Sequence, residues 1–284
     1  MRCRAITFLG LLGLTMSLSP IVQADDDDCR ENNAPVGECE EKPFEARLPT
    51  GKIVTPEAAP GSAFMRFDTE LRSDDNADAS GAVTTALSPD GTRLLVLTSG
   101  YNTGFRDENT GETFQFPVLD PVTGTPSDTT VGKSEWVFVY ALKKTESQRQ
   151  TVYNLEKIQQ IGIPNTFSGL VWDPNGQRFY VSGGIDDRIL VYKQNGEKFV
   201  PDAPFILLGH NSNQTDPTPK YDGGLLKGTG AERIATGAVV AGLGVSRDGK
   251  TLVAANLEND SISIIDTAKR TVTKEVKFFE PGGK

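Results

Sequence analysis

Asparagine, aspartate and glutamate residues that could bind a divalent metal recur in short polar segments next to apolar runs. They are Asn102, Asn165, Asp186, Asp187, Asn256 and Glu258. Carboxylate and amide oxygens bind hard divalent cations, and a bound cation can activate water for hydrolysis. Asn and Asp are also ordinary turn residues, because their side chains bond to nearby backbone groups. These residue types therefore fit two interpretations, a metal-dependent hydrolytic site and a set of structural turns.

The chain contains a single histidine, His210, in the polar stretch LLGHNSNQ. This histidine could act as a metal ligand or a general base, although a single histidine in a polar loop is more often a solvent-facing or hydrogen-bonded residue. No Ser-His-Asp arrangement can be assigned from the sequence. No GxxxxGKS, GxxxxGKT or CxxCH motif is present, so we predict neither a nucleotide nor an attached haem. A divalent metal is the one cofactor that the residue types suggest.

Three stretches combine a tight-turn signal with a run of strand-forming residues. They are SPDGTRLLVLTSGYN from Ser88, DPNGQRFYVSGGIDD from Asp173 and SRDGKTLVAANLEND from Ser246. Asp-Gly or Asn-Gly between apolar runs indicates a hairpin, since these residues tolerate the positive φ of a tight reversal. The chain is therefore predicted to reverse direction in the same way three times.

Each repeat extends to four short strands. The polar stretch at 143–150, between two of them, is predicted as either a helix or a loop. The predicted strands are 82–87, 93–98, 136–142 and 151–160, then 167–172, 178–182, 189–192 and one between 199 and 208, then 239–245, 251–255, 261–266 and 271–278. Four antiparallel strands per repeat are typical of a β-propeller blade. We predict an all-β chain with WD40-like propeller blades, and a β-sandwich is the alternative.

Two long insertions interrupt the repeats, at 99–135 within the first unit and at 209–237 between the second and third. In an up-and-down blade, the link between the second and third strands and the link to the next blade leave the same face, opposite the tight turns. Long loops on a rigid framework usually carry function, so this face, with Tyr101, His210 and the metal-binding candidates above, is the predicted ligand face. Alternatively, the insertions pack over neighbouring blades or contact another domain.

The first residues have the features of a secretory signal. Arg2 and Arg4 precede an apolar segment, and small residues precede Asp25. We therefore predict a signal peptide at 1–24, an acidic flexible segment at 25–47, and a partial propeller at 48–284. No stretch approaches the ~20 apolar residues of a transmembrane helix. The predicted location is the periplasm or the medium.

The mature chain would carry two cysteines and an acidic surface. Cys29 and Cys39 would close one small disulfide loop in an oxidising compartment. The formal net charge is −9, and the segment DDDDCRENNAPVGECEEKP is strongly acidic. Nucleic acid is excluded as a partner for such a surface on electrostatic grounds.

The runs LPTGKIVTPEAAPGS, VTTALSPDGTRLLVLTSGYN, IPNTFSGLVWDPNGQRFYVSGGIDDRILVY and GLGVSRDGKTLVAANLENDSISIID carry a family resemblance. They resemble the N-terminal YncE-like, YVTN-type propeller of exported bacterial proteins that join a propeller to an alkaline-phosphatase-type domain. The resemblance implies about seven blades and a phosphatase domain after them. Three full blades and a partial one at 51–71, with Val54, Phe64 and Phe67, are readable here, so we expect an incomplete propeller. Another copy or another polypeptide would cover its unmatched edges.

Two functions follow from these observations. The first is a non-catalytic exported propeller that binds a protein partner or a small ligand, or supports a phosphatase-type domain. The second is a hydrolase for lactones or phosphoesters that uses a divalent metal at the long-loop face. The phosphatase class of the resemblance needs clustered Asp and His ligands, and the single histidine argues against such a centre. We therefore favour the binding module.

Overall fold

A computed structural model describes residues 46–47, 53–54, 65–73, 77–98, 104–147, 150–209 and 237–278 of the 284-residue chain. These residues contain no α-helix, and hence none that could span a membrane; their strands form five antiparallel sheets. The strands are β1 (Ala46–Arg47), β2 (Ile53–Val54), β3 (Ala82–Leu87), β4 (Arg93–Thr98), β5 (Phe116–Leu119), β6 (Pro126–Val131), β7 (Glu135–Ser147), β8 (Gln150–Ile163), β9 (Leu170–Trp172), β10 (Arg178–Ser182), β11 (Arg188–Asn195), β12 (Lys198–Pro201), β13 (Ile206–Leu207), β14 (Val240–Val245), β15 (Thr251–Asn256), β16 (Ser261–Asp266) and β17 (Thr271–Lys277). The prediction of an all-β chain is confirmed.

The chain divides into two compact units, at 1–64 and 65–284. In the first unit β1 and β2 pair, with Ala46 opposite Val54 and Arg47 opposite Ile53. Phe64 and the side chain of Val54, which were predicted to contribute to a partial blade, lie outside the described residues.

Three sheets follow one another along the chain, and each corresponds to a predicted blade. Blade one has the order β3-β4-β7-β8, blade two β9-β10-β11-β12, and blade three β14-β15-β16-β17. Neighbouring strands are consecutive within each repeat and antiparallel, so each blade is an up-and-down sheet. The three predicted four-stranded repeats are confirmed.

The first strands of the three blades lie side by side, as the inner strands of a propeller do. The hydroxyl of Thr84 donates to the carbonyl of Ser168 at 2.7 Å, and the hydroxyl of Ser168 donates to the carbonyl of Ala241. A Cβ atom on Gly169 would lie 2.6 Å from the Ala241 oxygen and 2.7 Å from Leu243 Cγ. Only glycine permits this approach between blades two and three, and the arrangement makes the chain a β-propeller.

The predicted tight turns connect the first and second strands of every blade. Gly91, Gly176 and Gly249 each have φ of 71°, a left-handed conformation that glycine adopts without steric cost. Each glycine N–H donates to the carbonyl three residues earlier, at 2.8 to 2.9 Å. The turns are thus built alike, as their similar sequences predict.

Alternation of side chains along the strands creates one apolar core between each pair of blades. Leu95 and Val139 of blade one pack with Phe179 of blade two. On the other side of blade two, Tyr180 packs with Leu252 of blade three. Adjacent residues of one strand therefore serve two different interfaces.

The remaining face of blade one is covered by the chain itself. Phe67 and Ala77, from the segment before β3, belong to the same core as Phe138, with Phe105 of the first insertion. The Phe67 and Phe138 rings are 5.1 Å apart. Phe67, which was predicted to contribute to a partial blade, lies outside the strands and packs on blade one.

Two strand predictions were wrong. The stretch at 143–150 was predicted as a helix or loop, but β7 continues to Ser147 and β8 begins at Gln150, so the two strands form a long hairpin. The fourth strand of blade two is divided into β12 and β13, which pair with opposite ends of β11. The chain leaves β11 between them because the Phe205 N–H donates to the carbonyl of Pro121, in the first insertion.

Candidate functional site

The predicted ligand face is only partly within the described residues. Tyr101, Asn102 and His210 lie outside them, as do Cys29 and Cys39. The other candidates, Asn165, Asp186, Asp187, Asn256 and Glu258, are described and lie in or beside the links between second and third strands or between blades. They belong to three groups of hydrogen bonds, and the contacts of Asp187 and Glu258 meet at Ala238.

The first network centres on a buried ion pair. Asp186 and Arg188 are both fully buried, and the guanidinium lies 3.2 Å from Asp186 Oδ2. The Asn165 amide donates to Asp186 Oδ1 at 2.8 Å. Arg188 also donates to the carbonyl of Leu119 at 2.7 Å, which connects the first insertion to blade two. Asp186 is therefore neutralised and bonded inside the protein.

Glycine allows this pair to form. A Cβ atom on Gly183 would lie 2.7 Å from the Arg188 carbonyl oxygen and 2.8 Å from its Cγ atom. The guanidinium also lies over the ring of Phe205, 5.8 Å from the centroid, which is a favourable contact for a desolvated cation. Arg188 was not among the residues predicted for the site, although its position directly before the apolar run ILVY is a signal in the sequence.

The second network is made by Asp187, which is fully buried and has φ of 47°. Its Oδ1 atom accepts hydrogen bonds from the backbone N–H groups of Ala238 and Val239, at 3.0 and 2.7 Å. These are the residues immediately before β14, so this carboxylate connects blade two to the start of blade three. It satisfies backbone donors that would otherwise be buried without partners.

The third network lies in blade three. The amide of Asn256 donates to the hydroxyls of Ser261 and Ser263, at 2.8 and 2.9 Å. The Ser261 hydroxyl in turn bonds with the Glu275 carboxylate at 2.8 Å. Glu258 is half-buried and donates its backbone N–H to the Ala238 carbonyl. Of the described candidate carboxylates, that of Glu258 is the most accessible to solvent.

These networks decide what the loop face can do chemically. Within the described ranges, no three His, Cys, Asp or Glu side chains are grouped as a metal would require. Asp186 and Asp187 are buried and bonded to the protein, and a metal at Asp186 Oδ2 would have to displace Arg188. Arg188, the partner of Asp186, bonds to Leu119 of the first insertion, and Asp187 bonds to the start of blade three. Both carboxylates therefore have structural contacts.

A different surface is accessible, which we call the open face of blade three. It faces away from blade two and includes the apolar residues Val253, Ala255, Leu257, Ile262, Ile264, Val276 and Phe278, with the exposed Lys274 opposite Ile264. Leu257 is 55% exposed and Phe278 71% exposed. Together with Ala241, Ala255 and Ile262 they line a depression of about 510 Å³. No strand of the described chain packs on this face.

The comparisons with known proteins find structural similarity at low sequence identity. No protein-family model matches the sequence, and no curated protein matches it. The β-propeller domain of Cps50 (Swd1) from Myceliophteria thermophila matches with 12% identity over 72% of this chain and 47% of that chain, with a TM-score of 0.40. The periplasmic gluconolactonase PpgL of Pseudomonas aeruginosa matches with 15% identity over 68% of this chain and 41% of that one, with a TM-score of 0.38.

Hydrazine synthase of Kuenenia stuttgartiensis matches with 21% identity, over 72% of this chain and 51% of that one, and a TM-score of 0.33. This chain thus spans about half the length of the solved structures that it matches. The fold itself follows from the three consecutive blades and their adjacent inner strands. By that topology the chain is a β-propeller of four-stranded blades.

Proposed function

We propose that this chain is a non-catalytic propeller module that binds another polypeptide outside the cytoplasm. The observation that carries the proposal is the contrast between its two candidate surfaces. The carboxylates Asp186 and Asp187 at the loop face are fully buried and bonded to the protein. Accessible apolar side chains, among them Leu257 and Phe278, lie on the open face of blade three.

The burial of the two carboxylates supports a structural role for them. A catalytic carboxylate must reach the substrate or a bound metal, within hydrogen-bond distance or through one water. Asp186 is separated from solvent and paired with Arg188, and breaking such a buried pair leaves an uncompensated charge. Binding a metal at Asp186 would therefore compete with the packing of the first insertion.

The apolar character of the open face supports a binding role. Contiguous exposed apolar surface on a protein usually marks a place where another macromolecule binds. Export is supported by the signal-like first 24 residues, which would place the partner in the periplasm or the medium. The resemblance to propeller-phosphatase proteins makes support of a phosphatase-type domain one form of this function.

The test compares this module with a metal-dependent lactonase or phosphoesterase. We expect Ca²⁺, Mg²⁺ and Zn²⁺ to leave the Tm of the chain from Asp25 onwards unchanged, and we expect no hydrolysis of a lactone or an aryl phosphate. A functional metal at 100 times its Kd would stabilise the folded chain by about 2.7 kcal/mol. A metal-dependent rise in Tm together with turnover that Glu258→Gln abolishes would overturn the proposal.

A further inference from the structure

The chain contains two Asn-Gly dipeptides, Asn175-Gly176 and Asn195-Gly196. Glycine has no side chain, so the backbone nitrogen after such an asparagine can approach the side-chain carbonyl carbon, Cγ, with little steric hindrance. Attack by that nitrogen converts asparagine to a cyclic imide with loss of ammonia. Both dipeptides have the groups for this reaction, but the fold surrounds them differently.

Asn175-Gly176 lies in the tight turn of blade two, where hydrogen bonds hold both reacting groups. The Gly176 N–H donates to the carbonyl of Asp173 at 2.8 Å. The Asn175 side-chain oxygen accepts the N–H of Gln177, also at 2.8 Å. A Cβ atom on Gly176 would lie 3.6 Å from Pro89, in the turn of blade one. The attacking nitrogen and the side-chain amide are therefore both bonded to other groups of the turn.

Asn195-Gly196 lies at the tip of the hairpin between β11 and β12, where the surroundings are open. Both residues are exposed. Among the residues that the structure describes, neither the Asn195 side chain nor the Gly196 N–H has a hydrogen-bond partner. The Gln194 amide donates to the Gly196 carbonyl at 2.8 Å, and a Cβ atom on Gly196 would meet nothing within 4 Å. Here the reacting groups are accessible and have space to form the ring.

We propose that Asn195 is a site of spontaneous deamidation in the folded protein, whereas the turn of blade two protects Asn175. The Gly196 nitrogen loses its proton to solvent and forms a bond to Asn195 Cγ. The bond from Cγ to the side-chain nitrogen breaks, and that nitrogen takes up protons and leaves as ammonia. Water then opens the cyclic imide at either carbonyl and gives aspartate or isoaspartate. The reaction needs no oxidant, reductant or cofactor.

Both products change the outer hairpin of blade two. Each adds one negative charge at the position opposite Lys198. Aspartate leaves the main chain as it is, and its carboxylate would face Lys198, a favourable pair across two strands. Isoaspartate adds one carbon to the main chain next to the turn, which should disturb the pairing of Gln194 with Phe199, because turn length fixes hairpin register. The modification is independent of the proposed binding function.

Peptide mass mapping of the chain from Asp25 to Lys284 tests the assignment. Trypsin cleaves after lysine and arginine, so Asn195 falls in the peptide 194–198 and Asn175 in the peptide 158–178. In the folded chain at mildly alkaline pH, Asn195 should deamidate at least about tenfold faster than Asn175, where two hydrogen bonds must first break. In the chain unfolded by urea, the two rates should agree within about threefold, because this protection is structural.

Two variants confirm the position and the products. Asn195→Gln keeps an amide at the tip of the hairpin, but its extra methylene group makes ring closure slow. It should abolish deamidation of this peptide and leave the rate at Asn175 unchanged. Asn195→Asp supplies the aspartate product from the start and identifies it in the peptide map, so that the isoaspartate peptide of equal mass is recognised by its separate elution.

Four outcomes would overturn the proposal. The first is deamidation of Asn175 in the folded chain at a rate equal to that of Asn195 or higher. The second is an unmodified Asn195 in the folded chain after times at which the unfolded chain has reacted. The third is a difference between the sites that persists in urea, because sequence and not the fold would then cause it. The fourth is product that remains in the peptide of Asn195→Gln.

Discussion

Asp202 pairs with two cations of blade two and with one of blade three, and replacing it tests how much these contacts stabilise the propeller. Its carboxylate lies 2.8 Å from Arg178 Nε and 3.0 Å from Lys193 Nζ, and it also bonds with Arg270 of blade three. Burial alone would raise the pKa of Asp202. The hydrogen bonds from Arg178 and Lys193 and the charge of Arg270 outweigh burial and lower that pKa from 3.8 to about 2.

The shift in pKa gives the expected size and pH dependence of the effect. A pKa lowered from 3.8 to about 2 corresponds to about 2 kcal/mol of folding free energy. Because the folded-state pKa is the lower one, this stability is present above pH 3.8 and is lost as the pH falls towards 2. Asp202→Asn should therefore lower the free energy of unfolding by about 2 kcal/mol at pH 7.

Urea unfolding followed by the fluorescence of Trp136 and Trp172 measures this difference directly. The difference between Asp202→Asn and the original chain should shrink steadily between pH 4 and pH 2. Glu156→Gln is the matched control, because its pair with Lys143 is exposed and should contribute at most ~0.5 kcal/mol. A difference that stays constant down to pH 2, or one no larger than the control at pH 7, would refute the reasoning.

Three further changes test the contacts at the loop face and between blades. Arg188→Met leaves Asp186 buried without its cation and should lower the free energy of unfolding by about 3–5 kcal/mol in urea titrations. Asp187→Ala removes the acceptor of two backbone N–H groups, so hydrogen exchange there should accelerate, with about 2 kcal/mol of destabilisation. Gly169→Ala should cost about 1–3 kcal/mol by overpacking, whereas Gly242→Ala, with open space around it, should stay within ~0.5 kcal/mol by the same titration.

The repeat pattern predicted the fold best where turn chemistry and alternation agree. The strands at 82–87, 93–98, 178–182 and 261–266 were predicted with the bounds that the structure shows. Their turn glycines restrict where the chain can reverse, and their apolar residues alternate with the pleat. The long hairpin of β7 and β8 was missed because its polar outer half has no core to impose alternation. The division of the last strand of blade two depends on a contact with Pro121, far away in sequence.

The candidate site shows a different limit. Residue types placed Asn165, Asp186 and Asp187 at the links between strands, and the structure describes them there. Types alone do not show whether a carboxylate points to solvent or inwards. That choice depends on Arg188, which reaches Asp186 only because Gly183 lacks a side chain, and on Leu119, which arrives from the first insertion. Such contacts depend on packing between segments that are distant in sequence.

The two ends of the blade series explain why the binding surface lies where it does. Every blade exposes two apolar faces, and stability requires each to be covered or to be small. Blade one uses Phe67, Ala77 and Phe105 of its own chain for this purpose. On blade three the equivalent positions carry Val253, Ile262 and Ile264, which are apolar like Tyr180, Ile189 and Val191 of blade two but remain partly exposed. The exposed Lys274 lies opposite Ile264 and interrupts the apolar surface with a charge. Such a charge keeps the face compatible with solvent while its apolar residues remain available for contact.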